Sequence, residues 1–183
     1  MVRRTGRSHE YYSFLVCPHV KKIKLLYFAA SRPTYEQAGR VPSVLFYGTD
    51  RLREDPAFQF DVRWKRNTLM QILWQPFEQY LIRCVGVGFR LDQALRHLLT
   101  LRHQEVILAE TDSVGLPLLL LKRLCLIRSR VGFMSAGLIN ELERQQQTWL
   151  FRWYKWLLQA ADFVVCWSPL EEQMVRQRPG AKA

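Results

Sequence analysis

Short apolar runs of strand length recur along this 183-residue chain and alternate with longer segments of helical spacing. The runs occupy residues 23–29, 58–64, 105–109, 131–134 and 163–167. Strands that are separated by crossovers of helical length pair in parallel, and helices then cover the sheet. The alternation therefore predicts an α/β fold, a Rossmann-like parallel sheet with helices on both faces.

The pattern within each segment refines this prediction. Residues 58–64 alternate apolar and polar side chains, which predicts a strand near an edge of the sheet. Residues 131–134 are uninterrupted and apolar, which favours a central strand. Helices are expected over residues 42–54, 69–84, 91–101, 114–126 and 138–160. Pro76 is the expected site of a kink in the second of these.

The chain is strongly basic, with 27 Lys and Arg against 16 Asp and Glu, a net charge of +11. Residues 1–24 alone carry six basic side chains and one acidic one. Such a balance favours polyanions, whether substrate phosphates, an anionic membrane surface or nucleic acid. Charge does not choose among them, and a solvated basic surface with a basic arm is the alternative interpretation. We assign residues 1–21 to a basic N-terminal extension.

Several classes of site lack their sequence signals. The four cysteines lie far apart and form no C-x-x-C pair, which indicates a reducing, cytoplasmic compartment and no zinc. The histidines show no H-E-x-x-H spacing, and no serine or cysteine lies in a nucleophile elbow. Apolar stretches such as residues 116–121 are far shorter than the roughly 20 residues that span a bilayer. No metal or cofactor is expected.

In open parallel sheets, ligands bind at the carboxyl ends of the strands, where helix N-termini point outward. The loops there supply the candidate substrate-binding residues: Gly39, Arg40, Glu110, Thr111, Asp112, Ser113, Ser135, Gly137, Ser168 and Glu171. The cluster at residues 110–113 combines two carboxylates with two hydroxyls, a set that suits sugar hydroxyls or a general base. Asp112 is the candidate catalytic residue, and a helix cap by Asp112 or Ser113 is the alternative interpretation.

The other candidates also have two interpretations. Arg40 beside Gly39 can neutralise an anionic group, or it can be an ordinary exposed loop arginine. Ser135 can donate to a phosphate or hydroxyl, and Gly137 can admit a ligand to the backbone or simply form a turn. Residues 168–171 read as a capping box with proline at the first helical position.

Two further segments each have more than one interpretation. Residues 86–91 nearly match a dinucleotide fingerprint, but Leu91 replaces the third small residue and the segment follows a helix, so we discard this reading. The helix at residues 149–160 shows one apolar face with Trp149, Trp153, Trp156 and Ala160, and another with Phe151, Tyr154 and Leu158. The second face can pack within the domain, against another domain, or at a membrane interface.

Four blocks together resemble the N-terminal, acceptor-side domain of family-4-like GT-B glycosyltransferases. They read KIKLLYFA at residues 22–29, ETDSVGLPLLLLKR at 110–123, VGFMSAGL at 131–138 and ADFVVCWSPLEEQMV at 161–175. The resemblance covers about residues 22–178, which we assign to this domain, and residues 179–183 would begin the crossing to the donor domain. Unlike many members, the chain has a single glycine in the loop after the first strand and no histidine at residues 135–137.

The resemblance implies the acceptor-binding half of a glycosyltransferase, acting on a saccharide or lipid-linked acceptor. The nucleotide-sugar site of that family lies in the donor-binding C-terminal domain, so that domain is the expected partner and this chain alone is not expected to transfer sugar. The alternative hypothesis is a non-catalytic basic Rossmann-like module that binds an anionic membrane or nucleic acid. Of the remaining partners, peripheral contact with the inner face of a membrane is expected in preference to nucleic acid.

Overall fold

A computed structural model describes residues 22–29, 49–64, 69–135, 149–166 and 172–173 of the chain. The strands are β1 (Ile23–Ala29), β2 (Phe58–Trp64), β3 (Val106–Ala109), β4 (Arg130–Met134) and β5 (Phe163–Val165). The helices are α1 (Thr49–Glu54), α2 (Leu69–Val85), α3 (Leu91–Arg96), α4 (Leu98–Leu101), α5 (Asp112–Arg123) and α6 (Trp149–Leu158).

The five strands form one parallel sheet in the order β2-β1-β3-β4-β5. Leu25 of β1 is level with Phe60 on one side and Val106 on the other. This confirms the predicted α/β Rossmann-like fold and the edge position of β2, and it places β4 in the interior. Because the chain passes from β1 to β2 and then returns past β1 to β3, the topological switch point lies between β1 and β3.

Alternate residues of the strands enter two apolar layers, one on each face of the sheet. On the first face, Leu26, Phe28, Ile107 and Phe133 are buried beneath side chains from helices α2 to α6. On the second face, Leu25, Tyr27, Ala29, Leu108 and Met134 are buried, and Leu52 of α1 packs against them. The described helices therefore cover both faces, as predicted.

Close packing and one ion pair fix α5 over the sheet. A Cβ placed on Gly115 would lie 2.7 Å from the Cβ of Phe133, so only glycine lets the helix approach β4 this closely. At the other end of α5, the Lys122 ammonium donates to the Asp162 carboxylate. The backbone N–H of Val131 donates to the same carboxylate at 2.6 Å. Asp162 thus joins α5 to the starts of β4 and β5.

Two helix predictions are corrected. The helix expected over residues 91–101 is broken at His97, whose backbone (φ −97°, ψ 9°) separates α3 from α4. The helix expected over residues 114–126 begins earlier, at Asp112, and ends at Arg123. It stops there because Cys125 adopts a left-handed backbone with φ 56°, which cannot continue a right-handed helix. The chain stays helical across Pro76.

The buried face of α6 also differs from the prediction. The side chains that are buried are Leu150, Tyr154 and Leu157, which follow one another at helical spacing. The prediction included Tyr154 but missed both leucines, because the aromatic residues dominated the apolar pattern. Trp149, by contrast, is 65% exposed.

Candidate functional site

The switch point brings residues 110–113 to the carboxyl ends of β1 and β3. The Glu110 N–H donates to the carbonyl of Phe28 near the end of β1, at 3.0 Å, which ties this turn to the neighbouring strand. Glu110 and Asp112 are both buried, whereas Thr111 and Ser113 are partly exposed. The topology therefore positions this predicted cluster where open parallel sheets bind their ligands.

The cap of α5 is not the one expected from the sequence. Thr111 is the N-cap residue, with an extended backbone (φ −143°, ψ 166°), and its carbonyl accepts from the N–H of Gly115 at 2.9 Å. Asp112 and Ser113 already lie inside the helix, so the prediction that one of them is the cap is wrong. The Thr111 side chain makes no capping hydrogen bond, since its hydroxyl pairs with that of Ser113 at 2.9 Å. Two hydroxyls therefore stand together at the helix N-terminus.

Ser135 follows β4, the next strand in the sheet. Its N–H donates to the carbonyl of Val165 at 3.0 Å, and its side chain is fully buried. Within the described part of the chain its hydroxyl has no hydrogen-bond partner. The β3–β4 ladder ends at the pair Ala109 and Phe133, so Ser135 and residues 110–113 follow adjacent strand ends at the carboxyl edge of the sheet. A buried hydroxyl in this position has unused hydrogen-bonding capacity beside the cluster at residues 110–113.

A buried ionic cluster of Arg90, Asp92 and Glu78 packs next to the site, and it was not predicted from the sequence. The Arg90 guanidinium donates to both carboxylate oxygens of Asp92, at 3.1 and 3.0 Å, and lies 3.5 Å from Glu78 of α2. The Gln93 amide donates to Asp92 at 2.7 Å. The backbone N–H of Arg90 donates to the carbonyl of Ser113 at 2.9 Å. The cluster thus fixes the first turn of α5 relative to α2 and α3.

The pKa of Asp92 reflects this environment. Burial raises the pKa of its carboxyl group, but hydrogen bonds from Arg90 and Gln93, together with the Arg90 charge, more than offset that effect. The net result is a pKa below the ordinary value of 3.8. Asp92 is therefore a charged structural partner of Arg90 at neutral pH, and it cannot serve as a proton donor there.

The signal for this cluster lies in and just after residues 86–91, the segment that nearly matches a dinucleotide fingerprint. Gly86 has a left-handed backbone with φ 76°, which turns the chain back along α2. A Cβ on Gly88 would lie 3.1 Å from the Glu78 carboxylate and 3.4 Å from Ser113. The glycines thus allow close packing of α2 and α5, and the segment follows a helix, as the sequence indicated. The Arg90, Asp92 and Gln93 that come next were the missed signal.

The chemistry available to the site is that of hydrogen bonding to a hydroxylated ligand. Carboxylates accept from ligand hydroxyls, the three nearby hydroxyls both donate and accept, and the helix N-terminus supplies further donors. Among the residues described here, no group of three or more His, Cys, Asp and Glu side chains is arranged to hold a metal ion. Nor does any helix of this part of the chain have the length and apolar character needed to cross a membrane.

The remaining predicted site residues lie outside the described residues: Gly39, Arg40, Gly137, Ser168 and Glu171. The structure therefore brings together five of the candidates, Glu110, Thr111, Asp112, Ser113 and Ser135, at the ends of two adjacent strands. Comparison of the chain with protein-family models, with curated proteins and with solved structures finds no match to any of them.

Proposed function

We propose that this chain is the acceptor-binding half of a glycosyltransferase that moves a sugar from a nucleotide-sugar to a saccharide or lipid-linked acceptor. The observation that carries the proposal is the cluster of two carboxylates and two paired hydroxyls at the switch point, with the buried Ser135 hydroxyl at the end of the adjacent strand. Such a set matches a ligand that presents several neutral hydroxyls at short spacing, as a saccharide does.

The charges at the switch point favour an acceptor over a nucleotide-sugar. Glu110 and Asp112 bring two carboxylates to this strand end, and a pyrophosphate placed beside them would meet like charge. The glycines of the discarded fingerprint, Gly86 and Gly88, serve the packing of α2 against α5. A division in which the phosphate-binding residues belong to a separate donor domain agrees with both features and with the family resemblance of the sequence.

In this arrangement Asp112 is the candidate base for the acceptor hydroxyl that attacks the sugar. Proton removal requires a carboxylate within hydrogen-bond reach of that hydroxyl. The cluster of Arg90 and Asp92 would act indirectly, because its hydrogen bond to the Ser113 carbonyl holds the first turn of α5 in place. We therefore assign Arg90 and Asp92 to positioning and Asp112 to contact with the acceptor.

The experiment is saturation-transfer NMR of the purified chain with a panel of saccharides, glycolipid headgroups and nucleotide-sugars. Saccharides or headgroups are expected to bind, and nucleotide-sugars are not. Asp112→Asn should weaken acceptor binding by about tenfold or more, because a hydrogen bond to a charged group is lost. Ser135→Ala should weaken it by about three- to tenfold, as expected for one neutral hydrogen bond.

Strand β4 offers a matched control at its other end. Ser129 is also buried, but its hydroxyl donates to the carbonyls of Leu101 and Gln104, at 2.9 and 2.8 Å. Ser129→Ala should therefore lower the free energy of unfolding by about 1 kcal/mol and leave acceptor binding unchanged. Ser135→Ala should weaken acceptor binding and leave the free energy of unfolding unchanged. Selective binding of nucleotide-sugars, or unaltered acceptor binding by both Asp112→Asn and Ser135→Ala, would refute the proposal.

A further inference from the structure

Helix α2 presents a second apolar face that the described residues leave exposed. One stripe, which includes Trp74, Leu81 and Val85, packs on the core. The neighbouring stripe is displaced by one residue and remains exposed, and it consists of Leu69, Met70, Leu73, Phe77 and Tyr80. Leu69 and Leu73 are each 84% exposed. An exposed apolar stripe of this length on one helix marks an interaction surface.

Aromatic contacts join this stripe to α6. Phe77 packs edge-on against Trp74 with ring centroids 4.7 Å apart, and the Trp74 indole N–H donates to the carbonyl of Phe89 at 2.6 Å. Phe89 in turn contacts Trp153 at 5.0 Å. Trp149, one turn earlier in α6, is largely exposed. We define the α2–α6 face as Leu69, Met70, Leu73, Phe77, Tyr80 and Trp149.

Every exposed charge on these two fully described helices is basic. Arg83 of α2 and Arg152 and Lys155 of α6 are exposed, whereas Glu78, the single acidic residue of the two helices, lies 3.5 Å from the buried Arg90 guanidinium. Exposed leucine and aromatic side chains beside arginine and lysine form the composition of helices that lie in a membrane interface. Arginine and lysine there attract anionic headgroups.

The net charge of the chain favours an anionic bilayer over a second copy of the chain as the partner of this face. A second copy of a chain that carries +11 would bring like charges together, which opposes self-association through this basic face. An anionic bilayer satisfies both features, because its acyl region takes up the apolar stripe and its headgroups pair with the flanking basic residues. We propose that the α2–α6 face docks this domain on the surface of an anionic bilayer. The inference does not rest on the proposed function.

The face adjoins the candidate site. Arg90 contacts Glu78 of α2 through its side chain and Ser113 of α5 through its backbone N–H, so the middle of α2 is level with the first turn of α5. A domain docked through this face would hold the carboxyl edge of the sheet close to the lipid headgroups.

The test is flotation of the full chain with phosphatidylcholine vesicles, with and without about a third of phosphatidylglycerol. The chain should float with the vesicles that contain phosphatidylglycerol and not with those of phosphatidylcholine only. Added salt should weaken the association. The double variant Leu69→Ser and Leu73→Ser should lose at least about tenfold in affinity, since two apolar side chains no longer enter the interface. Removing one exposed charge, as in Lys155→Gln, should cost about fivefold.

Leu99→Ser in α4 is the matched control, because Leu99 is 73% exposed but lies outside the α2–α6 face. It should float as the wild type does, and circular dichroism should show the same fold for every variant. Unchanged flotation of the double serine variant would overturn the proposal. The proposal would also be overturned if the chain bound no vesicles, formed dimers by light scattering, and lost those dimers in the same double variant. The α2–α6 face would then be covered by a second copy of the chain.

Discussion

Helices α2 and α5 are both rich in apolar residues, yet α5 buries most of them and α2 leaves most of them exposed. Helix α5 buries Val114, Leu116, Leu118, Leu119 and Leu121 against β3, β4, α3 and α6. Helix α2 is longer, yet only Leu81 and Val85 are fully buried. The difference follows from position: α5 follows the central strand of the sheet, whereas α2 follows the edge strand β2.

The two helices also differ in how they are attached. Helix α5 is held by its own side chains and by a glycine that admits it to within contact of Phe133. Helix α2 is attached through a narrower joint, in which Glu78 approaches Arg90 and Trp74 donates to Phe89. The contrast shows that apolar spacing identifies a helix but does not say how much of its surface the domain will cover.

The largest expected effect is at the joint between the two helices. Asp92→Ala should lower the free energy of unfolding by about 3–5 kcal/mol, because it leaves the buried Arg90 guanidinium without its bidentate partner. Urea denaturation measures the loss, and amide hydrogen exchange should show α2 losing protection first. If α2 kept its protection in this variant, its attachment would not depend on the joint.

The same joint predicts a pH dependence. The pKa of Asp92 in the folded chain is below 3.8, so the unfolded chain takes up its proton first as the pH falls. The stabilisation by this carboxylate is therefore fully present above that value and is lost as the pH falls through the folded pKa. The stability difference between the wild type and Asp92→Asn should shrink in the acid range, and a difference that grew on acidification would contradict the assignment.

A matched pair of leucines tests the contrast in burial. Leu118→Ala in α5 should cost about 2–5 kcal/mol, because Leu118 is fully buried and its truncation leaves a cavity. Leu73→Ala in α2 should change the free energy of unfolding by less than about 0.5 kcal/mol, because its side chain is largely exposed. Equal losses in the two variants would mean that α2 is covered in solution.

A smaller loss of stability than that of Leu118→Ala is expected where α5 approaches the sheet closely. Gly115→Ala places a methyl group against Phe133 and should cost about 1–2 kcal/mol, even though alanine favours the helix by about 1 kcal/mol. Thermal unfolding is the measurement. A stabilised variant would show that α5 can move away from β4 without penalty, and that its packing is less tight than the geometry indicates.

All five strands could be predicted from the sequence, because buried strands are short apolar runs that need no knowledge of their neighbours. The break at His97 could not, since Leu91 to Leu101 keeps its helical spacing on both sides of it. The sequence also could not predict which apolar stripe of α2 is exposed. The residues whose spacing predicts this helix are Leu69, Ile72, Leu73, Phe77, Tyr80, Leu81 and Cys84. Of these, Leu81 is the one that is fully buried, because contacts with distant elements decide which stripe is covered.

The candidate site was predicted in part. Strand ends identified Glu110, Asp112 and Ser135, because the carboxyl edge of a parallel sheet is fixed by topology. The cap was misassigned, since Thr111, Asp112 and Ser113 are all good N-cap residues and only the backbone angles distinguish them. The Arg90 cluster was missed because its partners, Glu78 and Ser113, are brought to it by the fold and not by sequence spacing.

The strand order has a consequence for synthesis on the ribosome. Strand β1 lies between β2 and β3, and its partner residues in β3 follow it by about 80 residues in the chain. At translation rates of about 5–20 residues per second, β1 therefore waits roughly 4–16 s for its second neighbour. Throughout that interval Leu26 and Phe28, which are buried in the finished domain, lack the part of their covering layer that α5 and α6 supply. A chaperone that binds extended apolar segments has its best opportunity on the nascent chain at β1.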